Sequence, residues 1–146
     1  VRVRALDEVL QGEPSQMQDR WAAQLYFLAP WLKWSVVLVW LASGVVGLVT
    51  PAPAIEAMAQ GSALAAGSPV LLARAAALLD LGLGSGLAFA SRPRGIVLAM
   101  LVCTVAYLLV FAAVTPAQLL DPLGGLLKNI VLIPALAVLW VLSDRR

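Results

Sequence analysis

Residues 95–120 read GIVLAMLVCTVAYLLVFAAVTPAQLL, a run without a charged residue. A second uncharged run, WSVVLVWLASGVVGLVTPAPAI, covers residues 34–55. A helix needs about 20 residues at ~1.5 Å each to cross the hydrocarbon layer of a bilayer, which is about 30 Å thick. Both runs are long enough, so they predict two membrane-spanning helices.

The composition of the whole chain also favours lipid as its solvent. Of the 146 residues, 62% are hydrophobic and 12% are charged, whereas about a quarter are charged in an ordinary soluble domain. So few charges leave too little polar surface to cover a soluble core. The formal charge of +2 comes from basic residues scattered singly or in pairs. No basic face for phosphate groups is expected, and nucleic acid is therefore excluded as a partner.

Two further apolar stretches carry ionisable residues: Arg74 and Asp80 in one, and Lys128 in the other. With these stretches included, the predicted fold is all-α, an integral membrane four-helix bundle with an N-terminal amphipathic interfacial helix. The predicted spans are about 31–49, 69–90, 95–115 and 123–142, in a membrane domain of residues 15–146.

The positions of the cations predict an orientation. Cations precede the first span, lie in the loop after the second span at Arg92 and Arg94, and close the chain at Arg145 and Arg146. The loops 50–68 and 116–122 contain neither Lys nor Arg. By the positive-inside rule, both termini are expected in the cytoplasm.

The segment before the first span has a different pattern. Ser15 and Gln18 form a capping box, and apolar residues after them recur at helical spacing opposite polar ones. This pattern predicts an amphipathic helix from Ser15 to Ala29 on the cytoplasmic membrane surface, ended by Pro30. Packing on a soluble partner domain is the alternative. Residues 1–14 are polar and are predicted to be a tail or linker. The aromatic residues expected to anchor the segment at the interface are Trp21, Tyr26, Trp31 and Trp34.

Six polar residues of the predicted spans fall at similar depths, about 18–27 Å from the cytoplasmic ends at ~1.5 Å per residue. They are Ser43, Arg74, Asp80, Tyr107, Lys128 and Asn129. An ionisable group at the bilayer centre costs about 2.5–3.5 kcal/mol, so each needs a partner. Arg74 and Asp80 are six positions apart on one helix and point in different directions, so Lys128 or Tyr107 is the expected partner of Asp80.

Two interpretations of this polar layer remain open. In the first, it lines a pocket for the polar head of a quinone or another small amphiphile, or it relays protons. In the second, its residues bond to one another and fix the register of the helices.

Small residues predict close helix packing, through Ser43 and Gly47 on the first span and Gly82 and Gly86 on the second. Histidine is absent and Cys103 is the one cysteine. The chain therefore cannot supply the usual ligands of haem, zinc or iron–sulfur clusters, and no metal site is predicted. No catalytic residue is predicted either, and a quinone or lipid is the ligand class left open.

The fourth span opens with Asp121-Pro-Leu-Gly-Gly-Leu-Leu-Lys-Asn129, and the second ends with Leu79-Asp-Leu-Gly-Leu-Gly-Ser-Gly86. These two motifs resemble those of the DoxX-like family of four-helix bacterial membrane proteins. Upstream, Met17-Gln-Asp-Arg-Trp-Ala-Ala-Gln-Leu-Tyr26 is similar to the junction between a short-chain-dehydrogenase-like, NAD(P)-binding domain and a DoxX-like membrane domain. This similarity implies that residues 1–14 are the tail of such a soluble domain.

The resemblance implies a location in the bacterial inner membrane and an association with respiratory, sulfur-oxidising or other redox enzymes. The function expected from it is that of a non-catalytic membrane subunit or anchor of a larger oxidoreductase, respiratory or other energy-transducing complex. The expected partners are membrane lipid and other membrane or redox subunits. The alternative is a quinone-binding membrane part of an oxidoreductase. A small transporter or channel is the third hypothesis, although the two halves of the chain show no inverted repeat.

Overall fold

A computed structural model of the protein describes residues 17–114 and 126–143, with side chains for 19–114 and 129–143. Every regular element in these ranges is helical. The α-helices are α1 (Met17–Val49), α2 (Ala52–Ala59), α3 (Pro69–Phe89), α4 (Arg94–Val114) and α5 (Leu132–Leu142), and two short 3₁₀ helices cover Ala63–Ala66 and Leu126–Val131. The prediction of an all-α membrane protein is confirmed.

Three of the described helices are long and apolar enough to cross a membrane: the part of α1 from Asp19 to Val49, and all of α3 and α4. The fourth predicted span is represented by a shorter apolar stretch, Asn129–Leu142. Within it, the 3₁₀ helix passes directly into α5. Pro134 falls in the first turn of α5, where a missing backbone N–H costs little because that N–H has no partner inside the helix.

The predicted end of the N-terminal helix at Pro30 was wrong, because α1 contains Pro30 and continues to Val49. Proline removes one backbone hydrogen bond from a continuous helix, whereas a break leaves several N–H and C=O groups at each new helix end without an intrahelical partner. Ser15 of the predicted capping box lies outside the described residues.

The chain divides between Trp31 and Leu32 into two compact units, which are described separately. The described part of the first unit is the helical segment Met17–Trp31. The second unit contains Leu32–Val49 of α1 and all the later helices.

Prolines and glycines set the boundaries of the helices in the second unit. Pro51 lies between α1 and α2, Pro69 opens α3, and Pro93 directly precedes α4. Gly61 follows α2 with a φ of +79°, a left-handed conformation that glycine adopts without steric cost.

The second unit is held together by an apolar core to which α1, α3, α4 and α5 contribute. The core residues are Val36, Val37 and Trp40 of α1, Leu87 of α3, Val97 and Met100 of α4, and Leu136 and Leu139 of α5. Leu87 lies near the end of α3 and Val97 near the start of α4. The core therefore lies toward the end of the bundle at which the α3–α4 loop is found.

Candidate functional site

Asp80 is the buried ionisable residue of the described side chains, with 7% of its surface exposed. It lies in the middle of α3, a helix long and apolar enough to span a membrane. A carboxyl group in such a position is costly unless other groups bond to it. Its hydrogen bonds therefore define the first candidate site.

Two hydroxyl groups donate to Asp80, one to each carboxylate oxygen. Ser43 Oγ on α1 donates to Oδ2 at 2.8 Å, and Tyr107 OH on α4 donates to Oδ1 at 3.2 Å. We call these three residues the polar contact. It joins α1, α3 and α4. Tyr107 is one of the two partners that the sequence predicts for Asp80.

The reach of Ser43 to Asp80 depends on its neighbour Gly44. A Cβ at Gly44 would lie 2.6 Å from Leu81 Cγ and 2.8 Å from the carbonyl oxygen of Ala77. Ala77 and Leu81 flank Asp80 on α3, three positions before it and one after it. The absence of a side chain at Gly44 therefore lets α1 lie directly against the part of α3 that carries the carboxylate.

Arg74 does not belong to the polar contact. Its Nη1 donates to the carbonyl oxygens of Gly47, at 2.6 Å, and of Leu48, and its Nη2 donates to that of Thr50 at 2.8 Å. These carbonyls are at the C-terminal end of α1, where they have no partner within the helix and where the helix dipole favours a cation. Arg74 is a cap for α1 and not a partner of Asp80.

A second cation caps α3 in the same way. Lys33 Nζ on α1 donates to the carbonyl oxygen of Ala88 at 3.3 Å, one residue before the end of α3. It also lies 5.8 Å from the ring centre of Trp34. The sequence patterns predict neither cap, although each cation lies at the level where a neighbouring antiparallel helix ends.

The other two residues of the predicted polar layer lie in the 3₁₀ helix Leu126–Val131. The side chain of Lys128 falls outside the described side chains, and Asn129 is half-buried. The structure thus brings together Ser43, Asp80 and Tyr107, and it places Arg74 elsewhere.

The predicted packing residues have different surroundings. A Cβ at Gly47 would lie 2.7 Å from Ala77 Cβ, and one at Gly86 would lie 3.2 Å from Ile96 Cδ1. Around Gly82, a Cβ would meet no described atom within 4 Å, so the described residues give Gly82 no packing role. Gly44 and Gly84 also lie where α1 and α3 approach closely, although the pattern of small residues did not predict either of them as a packing residue.

The predicted interfacial anchor is divided between the two units. Trp21, Tyr26 and Trp31 belong to the first unit and are exposed, and Trp34 belongs to the second and is also exposed. Within the first unit, the rings of Tyr26 and Phe27 meet edge to face with their centres 5.8 Å apart. The location of these residues at a membrane surface stays a prediction.

Two cavities of the described residues lie away from the polar contact. They are about 530 and 470 Å³ in volume, and both lie around the start of α3, next to the segment that follows α2. In the ranges that the structure describes, no group of three or more His, Cys, Asp or Glu side chains is arranged to hold a metal ion.

A sequence profile of the DoxX-like family matches residues 37–140, which is more than half of the chain. The matched range contains the whole polar contact as well as Arg74. No curated protein and no solved structure matches the chain. The resemblance inferred from the two motifs is confirmed by this profile, and the chain belongs to the DoxX-like family.

Proposed function

We propose that this protein is a non-catalytic membrane subunit or anchor, which attaches a larger redox or other energy-transducing complex to the membrane. The proposal is carried by one observation. The segment Met17–Trp31 belongs to a compact unit of its own, and most of its large apolar side chains are exposed.

Helix length supports a role for this segment outside the hydrocarbon. Leu32–Val49 alone gives about 27 Å of helix at ~1.5 Å per residue, which nearly matches a hydrocarbon layer of about 30 Å. The preceding residues are therefore not needed to cross the membrane. Asp19 and Arg20 lie among them, and side chains of this kind favour the interface or a protein surface over lipid tails.

The polar groups of the bundle support the non-catalytic part of the proposal. Asp80 accepts hydrogen bonds from Ser43 and Tyr107, and Arg74 and Lys33 cap helix ends. Every buried side-chain nitrogen or oxygen atom in the described ranges has a partner. These groups act in holding helices together. Quinone binding at Asp80 stays a prediction. Both carboxylate oxygens of Asp80 already accept hydrogen bonds from protein hydroxyls, and Asp80 lines neither of the two cavities.

The redox character of the partner rests on the family. The proposed orientation places the segment Met17–Trp31 in the bacterial cytoplasm, as the distribution of cations predicts. A partner would then be a soluble or membrane-bound oxidoreductase chain on that side. A fused NAD(P)-binding domain upstream stays a prediction of the same kind.

The test is purification of the tagged full-length chain from gently solubilised native membranes. Co-migrating chains are identified by native electrophoresis and mass spectrometry, and the complex is assayed for flavin, haem or iron–sulfur absorbance and for NAD(P)H oxidation. We expect a redox-active partner to co-migrate. A chain that runs alone, or with partners that carry no redox activity, contradicts the proposal.

A variant and its matched control locate the attachment. Replacing Trp21 and Tyr26 by Ala should release the partner while the chain stays in the membrane, since both side chains are exposed in the first unit. Phe89→Ala is the control, because Phe89 is also an exposed aromatic residue but lies at the end of α3. Equal loss of the partner in both variants argues against attachment through Met17–Trp31.

A further inference from the structure

The two cavities near the start of α3 adjoin each other. The first, of about 530 Å³, is lined by Glu56 of α2 and by residues of α3 that include Arg74. The second, of about 470 Å³, shares Gly67, Ser68, Pro69 and Leu71 with the first. One ligand can therefore extend from the first cavity into the second.

The two cavities differ in chemistry. The first contains a cation and a carboxylate, Arg74 and Glu56. The second has no ionisable residue in its lining, and the residues that it adds to the shared ones are apolar, namely Ala63, Leu64, Leu72 and Ala75. A charged cavity beside an apolar one matches an amphiphile with a polar head and a hydrocarbon chain.

The charges of the first cavity are available to a ligand. Arg74 has five N–H donors, and its bonds to the carbonyls at the end of α1 use three of them. Glu56 is exposed, and in the described ranges its carboxylate takes part in no hydrogen bond or ion pair, with Arg74 or with any other residue. The site thus offers a separate cation and anion and not a closed ion pair.

The depth of the site matches a lipid headgroup. Arg74 is five residues from the start of α3 at Pro69, or about 7.5 Å along the helix axis at ~1.5 Å per residue. A long cationic side chain at that depth lies at the boundary between acyl chains and headgroups. Glu56 belongs to α2, in the connection between the spanning helices α1 and α3.

We propose that these adjoining cavities bind a phospholipid with a zwitterionic head and a primary ammonium group, that is, phosphatidylethanolamine. Its phosphate accepts hydrogen bonds from the two remaining N–H groups of Arg74, its ammonium group donates to Glu56, and an acyl chain occupies the apolar cavity. An anionic lipid without an ammonium group meets repulsion from Glu56. Phosphatidylcholine has the positive charge but no N–H donor for the carboxylate.

The test is native mass spectrometry of the purified full-length protein in a neutral detergent. Phosphatidylethanolamine, phosphatidylcholine and phosphatidylglycerol with identical acyl chains are titrated in turn. We expect phosphatidylethanolamine to bind about fivefold more tightly than either of the others, as an exposed ion pair at the upper end of its range contributes. Equal affinities for the three lipids overturn the proposal.

Variants assign the head and the chain to their cavities. Glu56→Gln should abolish the preference for phosphatidylethanolamine, whereas Glu56→Asp should retain part of it. Arg92→Gln is the control, because it removes a charge from the exposed loop between α3 and α4 and should leave the preference unchanged. A preference that survives Glu56→Gln contradicts the role of the carboxylate.

A further variant tests the apolar cavity. Ala75→Trp should fill this cavity and weaken the binding of all three lipids by a similar factor, while the headgroup preference remains. Ala75 is exposed, so the larger side chain does not disturb the apolar core, and circular dichroism checks that helix content is unchanged. Unaltered binding in this variant places the acyl chain elsewhere and overturns the two-cavity site.

Discussion

The two ends of the bundle hold their helices together by different means. Toward the α3–α4 loop, the apolar core packs large side chains such as Leu87 and Met100, both fully buried. Toward the α1–α2 connection, α1 and α3 meet through Gly44, and hydrogen bonds from the polar contact and the Arg74 cap join them. One end is therefore held together by large packed side chains. The other end is held together by a close approach of the two backbones at Gly44 and by hydrogen bonds.

In a lipid environment, the stability of the bundle and the register of its helices have different sources. Lipid tails are as apolar as leucine, so helices associate through packing and hydrogen bonds and not through the hydrophobic effect. Large interlocking side chains supply many dispersion contacts, whereas a bond such as that from Ser43 to Asp80 is directional and fits one alignment. We expect the apolar core to dominate the free energy of unfolding and the polar contact to fix alignment.

The largest effect is expected from Leu87→Ala. Leu87 has no exposed surface and belongs to the apolar core, so its truncation leaves a cavity that the surrounding helices fill only in part. The free energy of unfolding should fall by about 3 kcal/mol. Unfolding in mixed micelles with an increasing fraction of dodecyl sulfate, followed by circular dichroism, measures the change.

Leu78→Ala is the matched control, since Leu78 lies on the same helix and is 60% exposed. Its truncation should change the free energy of unfolding by less than about 0.5 kcal/mol. If the two variants are destabilised equally, the apolar core is not the main source of stability, and the comparison between the two ends fails.

The next effect is expected from Gly44→Ala, which tests the end of the bundle that lacks large side chains. The new Cβ would lie 2.8 Å from the carbonyl oxygen of Ala77, so α1 and α3 must separate. We expect a loss of about 2 kcal/mol in the free energy of unfolding, typical of an overpacked contact. The same detergent unfolding experiment measures it.

Gly82→Ala is the same change in the middle of α3, where the Cβ meets no described atom within 4 Å. Alanine is the better helix former by up to about 1 kcal/mol, so this variant should be as stable as the original chain or more so. A destabilised Gly82→Ala variant contradicts the assignment of close packing to Gly44.

The sequence predicted the helices better than it predicted their neighbours. The uncharged run 95–120 predicts a spanning helix from length and hydropathy alone, and α4, Arg94–Val114, covers most of it. Pro30 predicted a helix end, but α1 continues through it. A continuous helix loses one backbone hydrogen bond at a proline, whereas a break loses several.

Depth along a helix can be counted from the sequence, but direction around it cannot be assigned without knowing the neighbours. Counting placed Ser43, Asp80 and Tyr107 at one level, and the structure brings these three into contact. The same counting placed Arg74 in this layer, although its side chain reaches the end of α1. Gly44 carried no signal of its own, because it is one of several small residues on α1 and only the position of α3 shows which of them is in contact.

The smallest effect is expected from Tyr107→Phe, which removes the bond to Asp80 Oδ1 and leaves the ring in place. Hydrogen bonds between membrane helices contribute about 0.6 kcal/mol on average, so the free energy of unfolding should fall by about that amount. Tyr26→Phe is the control, because Tyr26 is exposed in the first unit.

If the hydroxyl acts through Asp80, Tyr107→Phe should have no cost in an Asp80→Leu background, and a double-mutant cycle measures this coupling. A cost of the same size in that background would assign the hydroxyl a partner other than Asp80. The polar contact would then no longer explain how α4 is aligned with α1 and α3.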